Sequence, residues 1–162
     1  MRELPTSLRS DMDNSDQLIS EIYGELYALA DTEYPVYRSD GIRHCGLMVP
    51  IDVHCPLSLV GDRSSLLREV ERRLQWFFDH EPVVRLAIAD RVVRDMRDYW
   101  LGVGAEVPSG LDLLGSLVLT DANCFQDSRY ESWYSLPEPV DHLDLSAVFD
   151  EGFVIHDVNF DG

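Results

Sequence analysis

The order of apolar patterns along the chain predicts an α+β fold. It is an antiparallel sheet, an N-terminal hairpin plus a C-terminal four-strand meander, packed against about three helices. Three observations carry this. Apolar residues recur at helical spacing in three stretches before residue 102. Two short strand-like runs lie between the first and second of them. After residue 117 four strand-like runs follow one another, separated by turn residues, and strands never alternate with helices in βαβ order.

Each element has its own warrant. Residues 1–13 are polar and read as a flexible tail, leaving 14–162 as a single domain. Ser15 or Asp16 caps a first helix to about Ala30, with Leu18, Ile19, Ile22, Tyr23, Leu26 and Leu29 at helical spacing. Residues 31–40, containing Pro35, form a connector. The runs 42–49 and 51–60 make a hairpin that turns at Pro50 and Asp52. Asp62 or Ser64 starts a second helix to about Phe78, with Leu66, Leu67, Val70, Leu74, Phe77 and Phe78 on one face. Pro82 suits the first turn of a third helix, which buries Val84, Ile88, Val92, Met96 and Tyr99 and stops at Gly102. A short helical turn over 109–115 precedes strands at 117–125, 129–136, 142–149 and 153–160. Their separators are 126–128, the Pro137-Glu138-Pro139 corner and the tight Asp150-Glu151-Gly152 turn.

Charge says more about partners than about fold. The chain has 162 residues, 30 acids and 13 bases, a net charge of −17, with 45% apolar residues. All the bases are arginine. Residues 103–162 carry twelve carboxylates and one base, Arg129, a net −11. Such a surface repels nucleic acid and anionic membrane and attracts basic proteins. No apolar run approaches the roughly 20 residues that span a bilayer. The N-terminus lacks an apolar signal core, and three cysteines form no disulfide framework, so a cytoplasmic location is expected.

The candidate chemical sites are sparse. His44-Cys45 and His54-Cys55 offer zinc-ligand types across the hairpin, but adjacent strand residues point to opposite faces, and the spacing fits no zinc pattern. Cys124 has no nucleophile motif around it. Asp150, Glu151 and Asp157 lack the alternating oxygen ligands of a calcium loop and read better as a hairpin tip. Phosphate-loop, HExxH and GxSxG motifs are absent. The expectation is a non-enzyme with no cofactor and no metal. The arginines of the second and third helices, Arg68, Arg72, Arg73, Arg91, Arg94 and Arg97, alternate with Glu69, Glu71, Asp79, Asp90, Asp95 and Asp98. They read as a self-paired solvated face rather than a nucleic-acid surface.

The acidic meander is the exception, because Arg129 alone cannot offset its twelve carboxylates. Tyr130, Trp133 and Tyr134 lie among them. Alternation lets only one of Trp133 and Tyr134 point inward, so the other becomes a surface anchor. An exposed aromatic in an acidic field suits a basic protein partner, with charge steering the encounter. The residues expected to bind it are Glu131, Trp133, Tyr134, Asp141, Asp144, Asp150, Glu151 and Asp157.

One resemblance points the same way. The run Leu-Val-Leu-Thr-Asp-Ala-Asn-Cys-Phe-Gln-Asp-Ser-Arg-Tyr-Glu-Ser-Trp-Tyr from Leu117, and later His-Leu-Asp-Leu-Ser-Ala-Val-Phe-Asp-Glu-Gly from His142, resembles the C-terminal meander of small bacterial α+β domains of unknown function. Some of those serve as immunity proteins beside polymorphic toxins. Here Pro137-Glu138-Pro139-Val140-Asp141 replaces their usual Gly-Asp turn. The resemblance implies no catalytic residues. It implies an immunity-type protein that covers a basic toxin, with a nuclease favoured because enzymes that grip phosphate backbones are basic. The alternatives are a DNA-mimic inhibitor of a restriction or CRISPR effector, and a small enzyme built on Cys124 or a His-Cys metal site.

Overall fold

A computed structural model describes residues 17–162, with backbone only at 40 and 41. The tail expected over 1–13 lies outside the described residues. Strands β1 (Gln17–Ser20), β2 (Gly24–Ala28), β3 (Val36–His44) and β4 (Leu47–His54) come first. Helices α1 (Arg63–Asp95), α2 (Arg97–Gly102) and α3 (Gly110–Leu114) follow. Strands β5 (Val118–Cys124), β6 (Arg129–Ser135), β7 (Asp144–Asp150) and β8 (Ile155–Asp161) complete the chain. Among the described residues, eight strands form one sheet in sequence order. Every pair is antiparallel except β4 and β5, which run parallel because the helical segment carries the chain back across the sheet. The α+β class, the hairpin and the four-strand meander are as the sequence predicts.

The first predicted helix is instead the hairpin β1–β2. Leu18 pairs with Leu26, and both are buried, whereas Ile19 and Ile22 stand exposed. The Ser20 hydroxyl accepts hydrogen bonds from the Ile22 and Tyr23 amides, and Gly24 takes φ +78°. A short apolar run fits either period, and the turn chemistry at Ser20 and Gly24 decides between them.

The second hairpin turns five residues earlier than expected. Cys45 and Gly46 both have positive φ, +50° and +83°, the signature of a two-residue turn matched to strand twist. Pro50 lies inside β4, opposite the register shift between Ser39 and Ile42 on β3. A residue without an N–H is tolerated where the ladder is already interrupted. Gly46→Val is expected to cost about 1 kcal/mol or more, because a β-branched residue at that φ is strained. Urea denaturation checks it; an unchanged midpoint would mean that the turn relaxes freely.

The two predicted helices beyond the hairpin are one helix, α1, 33 residues and roughly 50 Å long. Asp62 caps it by accepting from the Ser65 amide at 3.1 Å. Pro82 lies inside it. Its buried stripe runs Leu66, Val70, Leu74, Phe77, Glu81, Val84, Ile88 and Val92 without a phase break. Glu81 fills a core position of that stripe. A charged residue there, followed by proline, is what makes the sequence read as two helices. Past Met96, α2 buries Trp100, while Tyr99 is exposed. Ser109 and Asp112 form a capping box on the short α3.

Alternation sorts the strand side chains. Ile51 and Val53, Ala122 and Cys124, Tyr130 and Tyr134, and Leu145, Ala147 and Phe149 are fully buried on the α1 side. Trp76 of α1 stacks on Tyr130 at 4.5 Å, and Phe77 packs near Phe149. The opposite side carries no helix among the described residues.

Candidate functional site

The uncovered sheet face collects the acids that the sequence left without partners. Because registered neighbours share a face, the pairs Asp52–Asn123, Asp121–Trp133 and Asn123–Glu131 place these residues side by side. Ser135–Asp144, Asp144–Asp161 and Val148–Asp157 extend the face to β8. Glu131, Trp133, Asp144 and Asp157 of the predicted set therefore lie together. Asp52, Asp121 and Asp161 join them, which the sequence reading missed. Asp52 comes from a strand distant in sequence, and only the parallel β4–β5 pairing brings it in.

At the centre is a shallow pocket of about 410 Å³ lined by Arg38, Asp52, Thr120, Asp121, Trp133 and Asp144, among others. Arg38 grips Asp52 through two 2.7 Å hydrogen bonds, so that carboxylate is matched. Trp133 is half-buried at the pocket wall. Asp121 is different. Burial, and then the neighbouring Asp52 charge, raise its carboxyl above the ordinary range. A raised acid weakens the fold as pH climbs from the ordinary carboxylate range through its folded value, since the charged form is the disfavoured one. Asp121→Asn is accordingly expected to raise the melting temperature at neutral pH while weakening binding of any cationic partner. A lower melting temperature would overturn this account of Asp121.

Three predicted residues stand elsewhere, and a fourth, Asp150, is on the open side but already bonded. Tyr134 points inward and is fully buried, so it offers no surface contact. The alternation rule admits one of the Trp133–Tyr134 pair to the surface, and burial under α1 selects Trp133. Asp150 shares the open side but is occupied: it accepts from the Gly152 and Val154 amides and from His156 Nε2 at 2.7 Å. These bonds hold its carboxyl below the ordinary range. Glu151 turns to the helix side, accepting from Tyr130 Oη at 2.8 Å and pairing with Arg72 at 3.0 Å. Asp141 is exposed in the loop before β7.

The helix-side polar groups are structural clamps. Glu81 is fully buried and accepts from Arg85 twice at 2.7 Å, from Tyr134 Oη at 2.6 Å, and faces His44 Nε2 at 3.0 Å. Desolvation pushes this carboxyl up, but the bonds from Arg85 and Tyr134, with the Arg85 charge, outweigh it and hold it below the ordinary range. Tyr134 is raised well above its ordinary value by burial and then by the Glu81 charge.

Arg73, expected on a solvated face, is also buried. It donates to Glu69 and to the carbonyls of His54, Phe125 and Gln126. It thereby ties together the ends of the parallel strands β4 and β5. The solvated pairing expected of the helix holds for Glu69 with Arg72 and for Arg91 with Asp95, each at 3.2 Å.

The two His-Cys doublets lie at opposite ends of the β3–β4 hairpin. His44 pairs with Leu47 beside the turn and His54 pairs with Val36 at the far end, roughly 25 Å apart along the strands. They do not share a metal. Cys55 and Cys124 are buried, and burial pushes the Cys55 thiol up to about 11 and Cys124 still higher. Neither is a thiolate nucleophile at neutral pH. No described helix is long and apolar enough to cross a membrane.

Compared with known proteins, the chain matches no family model, no curated sequence and no solved structure.

Proposed function

We propose that the protein is a binding protein of the immunity type, which neutralises a basic toxin by laying its open sheet face over the toxin's working surface. One observation carries the reading: an uncovered sheet face gathers Asp52, Asp121, Glu131, Asp144, Asp157 and Asp161 around Trp133. Opposite fields raise the encounter rate, and burial of the aromatic anchor then slows dissociation. The carboxylates stand on paired strands, so they need little ordering to meet a partner. A nuclease is the favoured target, since its phosphate-binding surface must be basic. The mechanism is occlusion, and it requires no chemistry from this chain.

The test is affinity capture at low salt from the native cells, run beside the triple variant Glu131→Gln/Asp144→Asn/Asp157→Asn. These three side chains hold no buried network together, so the fold is expected to survive. The expected result is one basic protein in equal amount, released by high salt and recovered poorly by the variant, with the loss residing in the association rate. Equal recovery by the variant would remove the open face as the interface. Capture of many unrelated nucleic-acid-binding proteins would favour a DNA mimic instead.

A further inference from the structure

In a chain with 30 acids, one pocket is lined by none. It is a cavity of about 290 Å³ between the tip of the β3–β4 hairpin and the segment leading from α3 into β5. Its walls include His44, Cys45, Leu47, Arg85, Leu117 and Leu119. It lies apart from the acidic face described above and shares no residue with it.

Arg85 gives the pocket its chemistry. The guanidinium spends Nε and Nη2 on Glu81, at 2.7 Å each. Nη1 reaches only the Leu117 carbonyl, at 3.5 Å, the outer limit of a hydrogen bond. A guanidinium has five N–H donors, so donor capacity is left on the pocket side. Glu81 matches its charge, so what the pocket offers a ligand is the N–H donors that Glu81 and Leu117 leave over. The bidentate grip fixes the guanidinium plane in advance, so a ligand would not have to immobilise a long side chain. Around the guanidinium, four of the nine lining residues are leucine and one is valine.

We propose that this pocket binds a small aliphatic carboxylic acid, its carboxylate on Arg85 and its short tail against Leu47, Leu117 and Leu119. The volume lies at the lower end of small-molecule sites, which suits an acid of a few carbons and excludes a nucleotide cofactor. The site is independent of the acidic face, and neither reading needs the other.

Cys45 supplies the readout. It sits at the pocket mouth and is exposed, whereas Cys55 and Cys124 are buried, so iodoacetamide labels it selectively. The experiment follows alkylation of Cys45 by mass in the full chain, with hexanoate, hexanol or hexylamine present. Hexanoate is expected to slow labelling several-fold in a saturable manner, and the other two to leave it unchanged. Leu47→Glu, at a position 46% exposed, places a carboxylate at the mouth and is expected to abolish the protection without altering the melting temperature. Equal slowing by all three probes would overturn the carboxylate assignment. No slowing by hexanoate, or full protection in a folded Leu47→Glu protein, would overturn the site.

Discussion

Glu81→Ala is expected to destabilise the protein by about 3–5 kcal/mol, the cost of stranding a buried partner charge. Against a total stability of about 5–15 kcal/mol, that brings the fold close to collapse. Alanine removes the acceptor of Arg85, Tyr134 and His44 together, and it opens a void in the middle of the α1 stripe. Urea denaturation of the variant measures the loss. The double variant Glu81→Leu/Arg85→Leu separates charge from packing, because replacing both partners of a buried pair with apolar groups is often near neutral. It is expected to recover much of the lost stability; a double variant as unstable as the single one would show that the cluster is not held by its ion pair. The pH dependence has a definite sign. Glu81 is depressed in the folded state, so its contribution is present above the ordinary carboxylate range and is lost as pH falls through the folded value. Glu81→Ala is expected to flatten that acid limb.

Trp133→Ala is expected to weaken partner binding by about 2 kcal/mol, roughly thirtyfold, as central aromatic anchors do, with only a small change in stability. Trp133 is half-buried on the open face, and the Thr120 hydroxyl binds its backbone carbonyl rather than its ring. Its neighbour gives the contrast. Tyr134→Ala removes a fully buried ring that donates to Glu81, so it is expected to unfold the protein before binding can be scored. Calorimetric titration with the captured partner, beside thermal melts of both variants, tests the pair. Wild-type affinity in a folded Trp133→Ala protein would exclude Trp133 as the anchor.

Legibility in the sequence followed the length of each pattern. The C-terminal meander could be read strand by strand, because four alternating runs and three turn clusters agreed with one another. The segment over 17–28 could not. Its apolar spacing served a helix as well as a hairpin, and the deciding turn at Ser20 and Gly24 is short. The break predicted at 79–82 had a different cause. Glu81 is a poor core residue until Arg85, Tyr134 and His44 surround it, and His44 and Tyr134 lie far from it in sequence. Arg73 was misplaced for the same reason, since its acceptors are carbonyls at the ends of β4 and β5.

By itself the sequence determined the α+β class, the excess of carboxylates after residue 103 and the rule that only one of Trp133 and Tyr134 reaches the surface. Composition and alternation are local properties, and no distant contact alters them. Tertiary structure alone decided which of the two it is, because the side of the sheet that α1 covers is set by packing. It also decided that Asp52 joins Asp121 and Asp144 around one pocket, since β4 meets β5 only when the helical segment crosses back between them. Which charges are matched and which stand open depends on those long-range pairings, and no window of sequence contains them.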